Sequence, residues 1–230
     1  MTTADQLVQC DGVARTFGEG AAATVALQPT DCQVHAGDRI AVVGPSGSGK
    51  STLLHLIAGL DTPTRGTVSW PAIGDRDALR PGRVAVIFQG PSLLAPLTVR
   101  ENVALPLVLD GIEDRDAAGR ADRALDGLGL LEIADKLPEE ISGGQAQRVA
   151  VARALAGDPV LILADEPTGQ LDRTSGAGVV DVLLAAADRA GAALLVSTHD
   201  VTVAARLATR WEMHSGRLTA ATTPIQEPTC

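Results

Sequence analysis

Apolar residues along this chain come in two kinds of run. Some are short and unbroken: Ile40-Ala41-Val42-Val43, Val84-Ala85-Val86-Ile87-Phe88, Val160-Leu161-Ile162-Leu163-Ala164 and Ala193-Leu194-Leu195-Val196-Ser197. A strand covered on both faces of a parallel sheet has no polar side to show, so these runs predict buried strands. Other stretches carry apolar residues on one side of a helical period: Thr52 to Leu60, Ser142 to Ala156, about Ser175 to Arg189, and Val201 to Ala208. Thr98 to about Gly129 is also helical in pattern, with an interruption near Asp110-Gly111. The first third differs. Leu7 to Cys10, Val13 to Phe17, Thr24 to Val34 and Thr67 to Trp70 are short strand candidates broken by turns such as His35-Ala36-Gly37-Asp38. Strands alternating with helices predict an α/β fold with a mostly parallel sheet and right-handed crossovers. An N-terminal antiparallel β-subdomain and an inserted α-helical subdomain complete it. Residues 1–89 and 158–220 are assigned to the core with its β-subdomain, 90–157 to the helical insertion, and 221–230 to a flexible tail.

The junction between the first buried strand and the following helix carries the most specific chemistry. Gly44-Pro45-Ser46-Gly47-Ser48-Gly49-Lys50-Ser51-Thr52 stands between strand and helix, which is the setting a phosphate-binding loop requires. Glycines let several backbone N–H groups face one anion, and the helix adds the positive end of its dipole. Lys50 can then reach the β- and γ-phosphates of a nucleoside triphosphate, and the Ser51 hydroxyl can bind Mg²⁺.

Five further elements follow in order. Gln89 closes the strand 84–88 and begins the loop Gly90 to Pro96, read as mobile; its amide can touch a metal shell and a water. Ser142-Gly143-Gly144-Gln145 opens a helix, with a capping hydroxyl and two glycines that allow close approach of an anion. Asp165 and Glu166 follow the strand 160–164, at the carboxyl edge where open α/β sheets bind ligands. Asp165 suits Mg²⁺, and Glu166 suits proton abstraction from water. Gly169-Gln170-Leu171-Asp172 is a loop just beyond. His199 follows the strand 193–197, within plausible reach of a γ-phosphate. Gln89 or His199 alone would read as a polar turn residue, and Ser142 alone as a helix cap; the ordered set carries the argument.

Composition narrows the choice of partners. The chain has 230 residues, 45% of them hydrophobic, with two Phe, two Trp and no Tyr, so its core rests on aliphatic side chains. A net charge of −9 disfavours nucleic acid as a partner. No apolar run is long enough for a membrane span, and Met1 to Gln9 lacks the pattern of a signal peptide. Cys10, Cys32 and Cys230 show neither metal spacing nor a disulfide framework and are read as structural or incidental, as expected in a reducing compartment.

The ordered motifs closely resemble the nucleotide-binding subunit of ABC transporters, over about residues 6–220. The resemblance implies ATP and Mg²⁺ as cofactors, with Ser51, Gln89 and Asp165 at the metal, Glu166 as general base and His199 as γ-phosphate sensor. It implies a head-to-tail dimer with a second ABC ATPase subunit, expected to be another copy of this chain, in which Ser142, Gly143, Gly144 and Gln145 grip the partner's ATP and Asp172 links the two sites. Phe17 would stack on adenine. The loop after Gln89 would receive a coupling helix of a separate integral membrane permease, placing the chain at the cytoplasmic face of the membrane. Gly59 to Pro63, Leu97 to Leu107 and Ala164 to Gly169 look like the macrolide-exporter and lipoprotein-release branch, whose permeases transmit mechanical work. Ile141 and Gln170 depart from the usual Leu and Asn, and Trp70 to Arg83 looks short, as if the β-subdomain were trimmed. A soluble ABC ATPase acting in DNA repair or translation is the alternative; its relatives usually carry coiled coils, zinc modules or a second ATPase domain. A P-loop kinase or GTPase needs neither the Ser142 motif nor His199.

Overall fold

The computed structural model describes residues 5–169, 171 and 173–221. They divide into two compact units, residues 5–79 with 193–221, and residues 80–192.

In the first unit, β1 (Gln6–Phe17) lies between β2 (Thr24–His35) and β4 (Arg65–Ser69) in an antiparallel three-stranded sheet. The two strand candidates in 7–17 are one strand. A register shift between Cys10 and Val13 interrupts the alternation, and Gly12 takes φ 56° there, so the sequence pattern breaks where the ladder continues. A second sheet segment runs β7 (Ala193–Thr198), β3 (Arg39–Val43), β8 (Thr209–His214), β9 (Arg217–Ala221). β3 is parallel to β7 and β8, and only β9 is antiparallel. β7 is buried along its whole length, as the unbroken apolar run requires. The β8–β9 hairpin alternates apolar and polar residues over too short a length to give an unbroken apolar run. α1 (Lys50–Ile57) packs on this unit. α6 (Val201–Ala204) is a single turn capped by Asp200, which accepts from Thr202 N at 2.7 Å; it is half the length expected.

The segment after β4 forms no further strand before Leu79. Trp70 donates its Nε1–H to Ile57 O at 2.8 Å, and Arg76 donates to Gly59 O at 2.8 Å and to Thr62 Oγ1 at 2.9 Å.

In the second unit, β5 (Val84–Ile87) and β6 (Leu161–Asp165) form a parallel pair. Around it stand α2 (Val99–Leu109), α3 (Asp114–Asp126), α4 (Gly143–Leu155) and α5 (Arg173–Ala190). α4 packs against α2, α3, α5 and β5. A capping box between Thr98 and Glu101 starts α2. The break expected near Asp110-Gly111 separates α2 from α3, and Gly111 takes φ 84° there.

Candidate functional site

The first unit holds the phosphate loop. Lys50 opens α1 and is only 5% exposed. Its ammonium turns back onto the loop it follows, donating to Gly44 O at 2.9 Å and to Pro45 O at 3.1 Å. Two glycines make this curl possible. Gly49 caps α1 at φ 101°, and a Cβ there would fall 2.4 Å from Ala26 O; at Gly44 a Cβ would fall 2.2 Å from Met213 O. Ser48 Oγ is buried and has no hydrogen-bond partner among the described residues. A buried cation, an unpartnered hydroxyl and a loop open only to glycine fit a phosphate chain.

His199 joins this cluster. Val43 of β3 pairs with Thr198 of β7, so Gly44 and His199 leave adjacent parallel strands at the same level. Both line a cavity of about 330 Å³, with Pro45, Val201, Glu212 and His214. Phe17 ends β1 with 44% of its surface exposed, and the Arg15 guanidinium lies 4.5 Å from its ring centroid. Arg15 is held by Asp61 at 2.8 Å. One face of the ring is therefore occupied by a cation, a stacking arrangement that stiffens it.

The second unit holds the acidic pair. Ile87 of β5 pairs with Ala164 of β6, so Gln89, Asp165 and Glu166 all stand at the carboxyl ends of neighbouring strands. Asp165 is 6% exposed. Glu166 takes φ 45°, a left-handed conformation that costs a non-glycine residue about 1–3 kcal/mol and concentrates at functional positions. Its carbonyl accepts from Gly169 N at 3.0 Å. At the start of α4, Ser142 Oγ accepts from Gln145 N at 3.2 Å, while Ser142 N donates to Gln145 Oε1 at 2.9 Å. Ser142 and Gln145 are thus engaged with each other. Gly143 and Gly144 begin the helix beside them. Asp172 and Gln170 lie outside the described residues. Among the described residues no group of three or more His, Cys, Asp or Glu side chains could hold a metal.

Three polar side chains escaped the sequence reading. Gln147 on α4 is 1% exposed; its Nε2 donates to Phe88 O at 3.2 Å and to Pro167 O at 3.5 Å. These carbonyls flank Gln89 on one side and Glu166 on the other. Gln147 Oε1 has no partner among the described residues. Gln147→Leu removes two long bonds together with one orphaned acceptor, so stability should stay within about 1 kcal/mol of wild type. Turnover should fall about tenfold, the effect of about 1.4 kcal/mol at the transition state. Urea denaturation and steady-state ATPase rates check the two halves.

Asn102 is fully buried on α2. It accepts from Leu94 N at 2.8 Å and donates to Leu94 O, Leu97 O and Thr98 O at 2.9–3.0 Å. Arg153 near the end of α4 donates to Ser92 O at 3.1 Å, Pro91 O at 3.3 Å and Ser92 Oγ at 3.1 Å. The loop after Gln89, read from its composition as mobile, is therefore tied to two helices. Asn102→Leu strands several buried backbone groups and should cost roughly 2–4 kcal/mol by urea denaturation. A lone Asn or Arg inside a helical pattern carries no signal of such a distant partner.

A strand, a glycine loop and a helix opening on a buried lysine define a P-loop nucleoside triphosphatase. Within that class the chain belongs to the ABC transporter family, whose sequence profile it matches over residues 27–169. It is an ATP-binding cassette, the ATP-hydrolysing domain of that family. The chain is similar to the ATP-binding cassette MJ0796, solved as a dimer in a post-hydrolysis state bound to ADP and Pi. The two share 34% identity at a TM-score of 0.85, over 93% of this chain and 98% of that one. It is also similar to cbiO1 from Clostridium perfringens, part of the ABC transporter complex cbiONQ, at 25% identity and a TM-score of 0.79, over 94% of this chain and 87% of that one. No helix among the described residues is long and apolar enough to cross a membrane.

Proposed function

We propose that this chain is the ATPase subunit of a bacterial transporter complex. Two copies close around two ATP molecules and drive a separate integral membrane permease, as an exporter or a mechanotransmission system. The observation that supports this most is the completeness of the catalytic set. Lys50 is seated on its loop with His199 level beside it, and Gln89, Asp165 and Glu166 share a strand edge.

In this reading Lys50 and the loop from Gly44 to Thr52 bind the phosphates, Phe17 stacks on adenine, and His199 meets charge on the γ-phosphate. Ser51, Gln89 and Asp165 would hold Mg²⁺, which would supply positive charge to the phosphate oxygens. Glu166 accepts a proton from the attacking water. Ser142, Gly143, Gly144 and Gln145 serve the ATP of the second copy, and Asp172 connects the two sites. Residues 90–157 form the signature subdomain, and the loop after Gln89 receives the permease. The dimeric cassette MJ0796 supports the pairing, and the place of cbiO1 in a transporter complex supports a membrane partner and a position on the cytoplasmic face. The Gly59 to Pro63, Leu97 to Leu107 and Ala164 to Gly169 stretches support the macrolide-exporter and lipoprotein-release branch.

The test is purification of the chain from its own membranes in detergent. An integral membrane protein retained with it, and raising its Mg²⁺-dependent ATPase rate, is the expected result. Exclusively soluble complexes would sink the transporter reading.

A further inference from the structure

Cys10 and Cys32 are far apart in the sequence, but the register of β1 on β2 sets them directly opposite each other. Opposed residues of an antiparallel pair project to the same face with Cα atoms about 4.5–5.5 Å apart. A disulfide spans about 4.4–6.8 Å between Cα atoms. Both cysteines are free, Cys10 buried and Cys32 half-buried. The pairing is held by more than one ladder. Gly12 N donates to Asp31 Oδ1 at 2.6 Å, and on its other side Cys10 lies opposite Val68 of β4. A slip of β1 against β2 would break the Gly12–Asp31 bond.

We infer that Cys10 and Cys32 form a dithiol site that a hydroperoxide oxidises to a cross-strand disulfide. Exposure assigns the roles. Cys32 has surface that a small oxidant can reach, whereas Cys10 has none. The neighbouring Cys32 side chain, burial, and the nearby carboxylates of Asp11 and Asp31 all raise the pKa of the Cys10 thiol, keeping it protonated. The Cys32 thiolate attacks one oxygen of hydrogen peroxide. An S–O bond forms, the O–O bond breaks, and the departing hydroxide takes up the proton lost by Cys32, leaving as water. Cys32 is then a sulfenic acid. The Cys10 sulfur next displaces the hydroxyl from Cys32; the S–S bond closes, and that hydroxyl leaves with the Cys10 proton as a second water. The two thiols give up two electrons, and the peroxide accepts them.

The experiment uses the full chain carrying Cys230→Ser, treated with hydrogen peroxide under native conditions. We expect both remaining thiols to disappear and the intact mass to fall by that of two hydrogen atoms. Trypsin should release the peptide ending at Arg15 joined to the one ending at Arg39. Dithiothreitol should reverse the change, and the oxidised form should melt roughly 5 °C higher. Two surviving thiols, a gain of oxygen mass without a link, or a disulfide between two chains would overturn the inference. In a Cys10→Ser variant the reaction should stop at a Cys32 sulfenic acid that dimedone captures. The main readout keeps both cysteines, so it does not depend on that variant folding.

Discussion

Glu166→Gln should bind ATP and all but cease to hydrolyse it, with turnover down by about 10²–10⁴-fold. Gln keeps the size of the side chain and loses its basicity, so the water keeps its position and gains no proton acceptor. Residue 166 is presented at φ 45° with its backbone carbonyl bonded to Gly169 N, a bond that Gln keeps. ATP with Mg²⁺ should therefore hold the variant in a closed pair, and its mass in solution should double. Light scattering with and without nucleotide reads this directly. A variant that hydrolyses ATP near the wild-type rate refutes the assignment of Glu166 as base. Lost turnover with a persistent monomer would keep the base and remove self-pairing outside the permease complex.

Lys50→Ala should lower ATP affinity by roughly 10–100-fold, the loss of one charge-assisted contact worth about 1.5–3 kcal/mol. The structure adds a second cost. The ammonium now holds Gly44 O and Pro45 O, and alanine leaves both carbonyls without that donor, so the loop should lose its shape before nucleotide arrives. Lys50→Arg should restore the charge and little of the affinity, because a planar guanidinium does not reproduce a compact ammonium inside so tight a loop. Calorimetric titration with ATP, alongside circular dichroism as a check on folding, separates binding from structural loss. Wild-type affinity in Lys50→Ala would contradict the role given to this loop.

Much of this arrangement was legible in the chain. β3, β6 and β7 announce themselves because strands covered on both faces are built mostly of apolar residues, with the polar ones at their ends. Ser142 marks the start of α4 because a cap has a local chemical signature. Features resting on distant partners were not legible. Gln147 and Asn102 sit in helical patterns as ordinary polar residues, and only the folded chain shows the carbonyls they reach. The bulge near Gly12 hid the continuity of β1, and so also the strand register that brings Cys10 to Cys32. α6 ends early at Ala204 although the amphipathic pattern runs on, since pattern alone does not specify where a backbone turns away.

The two ties on the loop after Gln89 carry a mechanical consequence. Arg153 grips Ser92 from the last turn of α4, and Ser142 caps the first turn of the same helix. Ten helical residues lie between Ser142 and Arg153, a span of about 16 Å. Asn102 fastens Leu94 to α2, so a force applied to the loop is divided between two levers. The α2 lever is anchored by its own capping box, while the α4 lever delivers its share of the displacement to Ser142.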